Sequence, residues 1–151
     1  VRIEIDDLSG TDVAELLAEH LADMYATSPA CSVHALDLDA LRAPSVTVWT
    51  ARDGGALLGC GALKELDRRH GELKSMRTAA AARGRGVGGA VLRHLLDVAR
   101  ERGYARVSLE TGSQPFFAPA HRLYARHGFV ACEPFGDYVL DPSSVFMTLE
   151  L

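Results

Sequence analysis

Between Arg83 and Gly89 the chain reads Arg-Gly-Arg-Gly-Val-Gly-Gly, and it then runs into a segment with helical periodicity. Four glycines in six positions are costly, because glycine loses more backbone entropy on folding than any other residue. One reason for them is a tight loop-to-helix junction packed on a sheet. A second is an anion cradle: glycines let backbone N–H groups approach a phosphate, and a helix N-terminus adds about half a positive charge. Arg83 and Arg85 supply charge-assisted hydrogen bonds at the same place. Two arginines beside four glycines at a helix start suit a pyrophosphate better than they suit packing.

The turn does not by itself say which pyrophosphate. Gly84-x-Gly86-x-x-Gly89 formally matches the dinucleotide-binding fingerprint, and Glu110 falls about where the ribose-binding acid would lie. Against that reading, Ala79–Arg83 separates the preceding strand from the first glycine, and a meander comes before the motif. Only 41 residues follow Glu110, too few for a second mononucleotide half. A Walker A loop is excluded, since no Lys-Ser/Thr follows the glycines.

The surrounding pattern gives an α+β order. Arg2–Asp6 alternates as a short strand. Thr11 or Asp12 caps a helix reaching about Ser28, with Val13, Leu16, Leu17, Leu21 and Met24 on its apolar face. Ser28-Pro29 ends it, and Asp37–Arg42 reads as a second short helix stopped by Pro44. Ser45–Ala51, Ala56–Leu66 and Glu72–Thr78 read as three strands of an antiparallel meander. Gly86–Arg102 is an amphipathic helix closed by Gly103, followed by strand Ala105–Glu110 and helix Pro119–His127, which Gly128 ends. Phe129–Ala131 and Val145–Leu151 are the closing strands. The expectation is a largely antiparallel sheet with one β-α-β crossover at its centre, in one domain spanning residues 1–151.

Composition narrows the classes. With 151 residues, 48% of them hydrophobic, the chain is too apolar for disorder and long enough to bury a core. No apolar run approaches the ~18–20 residues of a membrane-spanning helix. No charged segment followed by an apolar one opens the chain, so a secretory leader is expected to be absent or removed. A net charge of −4 gives no basic footprint for nucleic acid, which leaves only a local basic patch open. Cys31, Cys60 and Cys132 form no CxxC pair and read as reduced thiols in a cytoplasm. His20, His70, His94, His121 and His127 show no paired-ligand spacing, so no metal is expected.

Two blocks then carry a family resemblance. Arg83-Gly84-Arg85-Gly86-Val87-Gly88 resembles the Arg/Gln-x-x-Gly-x-Gly/Ala signature of the GCN5-related N-acetyltransferase (GNAT) superfamily. Leu123-Tyr124-Ala125-Arg126-His127-Gly128-Phe129 resembles its Leu-Tyr-x-x-x-Gly-Phe segment, in the right order and spacing. The usual proline before the turn is missing, since Ala79–Ala82 fills that stretch; a proline there stiffens the loop and donates no chemistry. The resemblance covers essentially the whole chain and is to compact bacterial members. It implies a sheet of six to seven strands whose fourth and fifth strands splay, acetyl-CoA as co-substrate, and direct transfer to an amine in a ternary complex.

Carried onto this sequence, the resemblance implies that Arg83, Gly84, Arg85, Gly86, Val87, Gly88 and Gly89 hold the diphosphate. Met76, Arg77 and Thr78 would offer a strand edge to the pantetheine amides, and the amide of Met76 would stabilise the oxyanion. Met76 also reads as core packing, and the two are compatible. Tyr124 would protonate the departing thiolate. Arg126 reads equally as a contact to the CoA 3′-phosphate and as a solvated helix residue.

An alkyl amine is protonated at pH 7, and recovering its neutral form costs about 4–5 kcal/mol, so a base or water chain is required. Glu72 is the first choice. It precedes Arg83 by the spacing of the catalytic glutamate in histone-acetylating members, and strand alternation puts it on the Met76 face. Glu110 is second and His34 third.

For the acceptor pocket, Tyr25, Ser28, Ser32 and His34 on one side and Ser113, Gln114, Asp137 and Tyr138 on the other are candidates. A small-molecule amine is preferred, because no separate protein-docking module is present; a protein N-terminus or lysine is the runner-up. A non-catalytic acetyl-CoA-binding module and an NAD-binding module remain the readings of other classes. No nucleic-acid or membrane partner is expected, and edge strands leave a homodimer open.

Overall fold

Alternation along the central strands sorts the side chains onto two cores. The computed structural model describes residues 1–151. Its strands are β1 (Arg2–Ile5), β2 (Val46–Asp53), β3 (Ala56–Asp67), β4 (His70–Thr78), β5 (Arg106–Gly112), β6 (Val130–Ala131) and β7 (Ser144–Glu150). Its helices are α1 (Thr11–Thr27), α2 (Leu38–Leu41), α3 (Val87–Glu101) and α4 (Ala118–Arg126). The strands form one sheet in the order β1-β2-β3-β4-β5-β7-β6, antiparallel throughout except for the parallel β4–β5 pair. This is the α+β arrangement expected from the pattern, with α3 as the crossover.

Neighbouring residues show the division. Val48 and Ala62 pack with Val13, Leu16 and Leu17 of α1 and Leu41 of α2. Trp49 and Leu63, one position along in each strand, pack with Val91, Leu92, Leu95 and Leu96 of α3 and Tyr124 of α4. The sheet is therefore sandwiched, with α1 and α2 on one face and α3 and α4 on the other. Each buried aliphatic side chain of α3 contributes about 1.5–3 kcal/mol.

Local details depart from expectation. Helix α1 takes no cap from Thr11 or Asp12: its N-cap is Gly10, with no side-chain cap. Asp12 instead accepts from its neighbour's Val13 N–H and pairs with Arg52 at 2.7 Å. Asp37 does cap α2, accepting from the Ala40 N–H. Short 3₁₀ turns at Ala30–Ser32, Ala80–Ala82 and Pro115–Phe117 join longer elements and left no periodic trace.

Two features of β4 shape the site. The β3–β4 register steps from Ala62↔Lys74 to Cys60↔Arg77, so β4 carries one extra residue there, a β-bulge at which Ser75 adopts φ +54°. Opposite it, a Cβ on Gly61 would come within 2.6 Å of the Met76 sulfur and 2.9 Å of Leu95 and Val91 methyl groups, so a side chain there would force these three to shift. Second, β4 and β5 pair only from His70↔Arg106 to Leu73↔Leu109, while each continues along its other neighbour to Thr78 and Gly112. Beyond Leu73 and Leu109 the two parallel strands part.

The bulge also corrects an expectation. Strict alternation would put Glu72 and Met76 on one face. Met76 packs against the α3 core, whereas Glu72 bonds Tyr138 and Lys74 on the other side of the sheet. The extra residue at Ser75 inverts the parity of everything after it.

Candidate active site

A cavity of about 420 Å³ passes through the opening between β4 and β5 and has a different wall on each face of the sheet. On the α3–α4 face it is lined by Met76, Thr78, Arg83, Gly88, Leu123 and Tyr124. On the α1 face the wall includes His20, Met24, Ser28, Ser32, His34, Lys74, Arg77 and Glu110.

The glycine turn forms the outer end of the first half. Gly84 (φ +77°) and Gly86 (φ +79°) take left-handed conformations that other residues rarely adopt, and Gly86 is the N-cap of α3. Arg83 and Arg85 are exposed beside it, and no side chain caps the helix. The first N–H groups of α3 are thus left to solvent or a ligand. Gly88 and Gly89 lie on the first turn against Leu123, so α4 abuts the same helix end. Arg126 is exposed on α4.

Tyr124 is buried and lines the cavity, with its ring edge-on to Phe129. Burial alone pushes its pKa up, with no charge or hydrogen-bond partner acting on the hydroxyl. The group is a protonated phenol facing the cavity.

The second half is polar and charge-matched. Glu72, 2% exposed, accepts from the Tyr138 hydroxyl and from Lys74 Nζ (3.2 Å); Lys74 also donates to Tyr138 at 2.9 Å. Neither Glu72 nor Tyr138 lines the cavity, but Lys74 does. Glu110 lies just past the last β4–β5 pair and lines it too; burial raises its pKa, offset in part by the Ser144 hydroxyl and then by the His34 and Lys74 charges. Arg77 turns its guanidinium away from the glycine turn, and its Nη2 binds Glu19 and Asp23 of α1, each at 2.7 Å. His34 stacks edge-on to Tyr138, with ring centroids 5.0 Å apart.

The remaining acceptor candidates divide. Ser28 and Ser32 line the cavity, and Ser32 ties the segment after α1 to the β6–β7 loop by donating to Asp141 at 2.6 Å. Gln114 accepts from Ser28, and Ser113 donates to the Pro142 carbonyl. Tyr25 and Asp137 are exposed and do not line the cavity. Sequence reasoning missed His20, Met24, Lys74 and Ser75 as wall residues. The i, i+4 spacing of His20 and Met24 on α1 was an available signal.

The chain matches the family model described as "Acetyltransferase (GNAT) family" over residues 13–129. It belongs to the GNAT acetyltransferase family. A full-length relative is the uncharacterized N-acetyltransferase YsnE of Bacillus subtilis (strain 168), 55% identical over all of this chain and all of that one. Among solved GNAT-like structures, an acyl-CoA N-acyltransferase from Klebsiella pneumoniae superposes with a TM-score of 0.83 at 29% identity, covering 99% of this chain and 97% of that one. A GNAT-family acetyltransferase from Elizabethkingia anophelis, solved with acetyl-CoA bound, matches at TM-score 0.71 and 18% identity over 99% and 97% of the two chains. This GNAT chain is accordingly an acyltransferase.

Proposed function

We propose that the chain moves an acetyl group from acetyl-CoA to the primary amine of a small molecule by direct attack in a ternary complex. The observation that carries this reading is the continuous cavity: it joins an arginine-flanked helix N-terminus on one face of the sheet to a half-buried carboxyl group on the other. The donor is read from the first half, where Arg83, Arg85 and the amides around Gly84–Gly89 suit a diphosphate. The unpaired edge of β4 from Lys74 to Thr78 suits the amides of a pantetheine arm. The acetyl-CoA bound to the structural neighbour from Elizabethkingia agrees with this. Three free cysteines suit a reducing cytoplasm.

In this mechanism Glu110 replaces Glu72 as the base. Glu110 faces the cavity where the strands part, while Glu72 is held by Tyr138 and Lys74 behind the wall. Glu110 takes a proton from the ammonium, and the neutral nitrogen attacks the thioester carbonyl. The amide of Met76, on the unpaired β4 segment, receives the oxyanion. The C–N bond forms, the C–S bond breaks, and Tyr124 protonates the thiolate; the second amine proton restores the phenol. The net reaction releases one proton to solvent. Tyr124 and the thiolate share one dry pocket, so desolvation penalises both anions and does not block the transfer.

The test is thiol release from acetyl-CoA across a panel of primary amines, with acetyl-CoA binding measured by calorimetry. Amine-dependent thiol release is expected. Binding without thiol release for any amine would favour a non-catalytic acetyl-CoA module, and no binding at millimolar ligand would end the reading.

A further inference from the structure

Glu72, Lys74 and Tyr138 close a ring of hydrogen bonds, and the proposed mechanism uses none of the three. The Tyr138 hydroxyl and the Lys74 ammonium both donate to Glu72 Oε2, and Lys74 also donates to the Tyr138 oxygen at 2.9 Å. The ammonium lies 5.7 Å from the centroid of the Tyr138 ring. Glu72 is 2% exposed and the Lys74 side chain 8%. A buried ion pair is weak evidence for stability, because each ion gives up hydration that its partner only partly returns. What the ring achieves is placement: an ammonium on a flexible four-carbon stem is held at one point.

Strand register sets that point. Leu73 and Leu109, the last paired rung of β4 and β5, both pack in the α3 core. The next residues, Lys74 and Glu110, therefore turn to the α1 face, and both line the cavity where the strands part. Glu110 is faced there by Lys74 and Glu72 of β4, His34 of the segment after α1, Tyr138 of the β6–β7 loop and Ser144 of β7. Lys74 is the one permanent cation among them. Its salt bridge is to Glu72, so it acts on Glu110 through space and not by contact. Burial favours the protonated acid, which cannot accept a proton from an ammonium, and a fixed positive charge opposes that.

We infer that Lys74 is a positioning residue of the transfer: held by Glu72 and Tyr138, its ammonium stands at the strand opening and stabilises the Glu110 carboxylate that takes the acceptor's proton. The inference rests on the acetyl-transfer reading and gives Glu72 a place behind the wall. Glu72 offsets part of the lysine charge, so the two residues act on Glu110 in opposite directions, with Lys74 the stronger.

The test reads Glu110 directly, by carbon NMR of protein isotope-labelled at its glutamate carboxyl groups; the Glu110 resonance is the one missing from Glu110→Gln. Lys74→Met should raise its titration midpoint by about one pH unit, and Glu72→Gln should lower it. Lys74→Arg keeps the charge and should restore most of the difference. Lys74→Met alone leaves Glu72 buried without its cation. The double variant Lys74→Met with Glu72→Gln removes both charges, so it should fold even where the single variant does not, and its midpoint should still rise, by less. In the amine-dependent thiol-release assay the low-pH limb of kcat/KM should move with the midpoint. Tyr138→Phe frees Lys74 without removing a charge, and it should lower kcat severalfold in the wild type but not in the Lys74→Met background. An unmoved midpoint in Lys74→Met and the double variant, shifts of one direction from Lys74→Met and Glu72→Gln, or an equal Tyr138→Phe loss in both backgrounds each overturn the inference. Intact transfer with an unmoved midpoint removes the role of Lys74 alone. No transfer to any amine removes the acetyl-transfer reading, whatever the midpoint does, and the role of Lys74 falls with it.

Discussion

Lys74 on β4 and Glu110 on β5 are the first residues beyond Leu73↔Leu109, the last rung joining the two parallel strands, and both line the cavity. The opening thus starts between a cation already matched by Glu72 and a carboxyl group that has the Ser144 hydroxyl beside it but no salt bridge of its own. That asymmetry is why the proposed mechanism gives the proton to Glu110.

Glu110→Gln is expected to lower kcat by about 10²-fold or more while leaving acetyl-CoA affinity within twofold. Its folded-state pKa is raised by burial, so the native protein holds this proton more tightly than the unfolded chain. The group's effect on stability is therefore lost as pH rises from the ordinary carboxylate range through the raised value, and ionised Glu110 is a burden at neutral pH. The variant should be slower and more heat-stable at pH 7, which rate measurements and thermal melts on one preparation will show. A Glu110→Gln enzyme with wild-type rates would remove Glu110 from the mechanism.

Tyr124→Phe should cost about 10²-fold in kcat with little change in KM for acetyl-CoA. Its hydroxyl has no protein partner to lose, so the melting temperature should hold. A large loss of stability together with the loss of rate would instead assign the phenol to the core.

At the glycine turn, Arg83→Ala with Arg85→Ala should raise the Kd for CoA by about tenfold and flatten its dependence on salt. S-acetylpantetheine lacks the diphosphate, so its use as donor should not change. An equal loss for both donors would mean that the arginines act on the fold and not on phosphate.

His20 supplies a pH signature. Burial and the Arg77 charge lower its pKa to about 4, with Asp23 pulling the other way. The unfolded chain binds its proton from about 6.5 downward, so stability present above that value is lost as pH falls from 6.5 towards 4. The loss amounts to up to about 3 kcal/mol. Denaturant titrations across this window should slope less for His20→Gln than for the wild type. Parallel slopes would show that His20 does not carry the effect.

The parts legible in the sequence were those set by neighbours along the chain. The α3 stripe of Val91, Leu92 and Leu95 and the meander of β2, β3 and β4 follow from periodicity and turn residues, and the Arg83–Gly89 turn from composition alone. The half of the cavity on the α1 face was legible only in part: Ser28, Ser32, His34 and Glu110 were named, but His20, Met24 and Lys74 were not, because the wall is assembled from α1, the segment after it, β4 and β5. The shared face expected for Glu72 and Met76 failed for a physical reason. The bulge at Ser75 contains neither glycine nor proline, so nothing in the local residues signals that alternation breaks there.

That single additional position has a further meaning for how this strand tolerates change. Removing Ser75 would let Lys74, Met76 and Arg77 run regularly opposite Ala62, Gly61 and Cys60, with the Met76 thioether still toward α3 and the guanidinium still toward α1. The bulge is thus a place where β4 can lose one codon without exchanging the side chains it shows to its two faces, at the expense of the local kink alone.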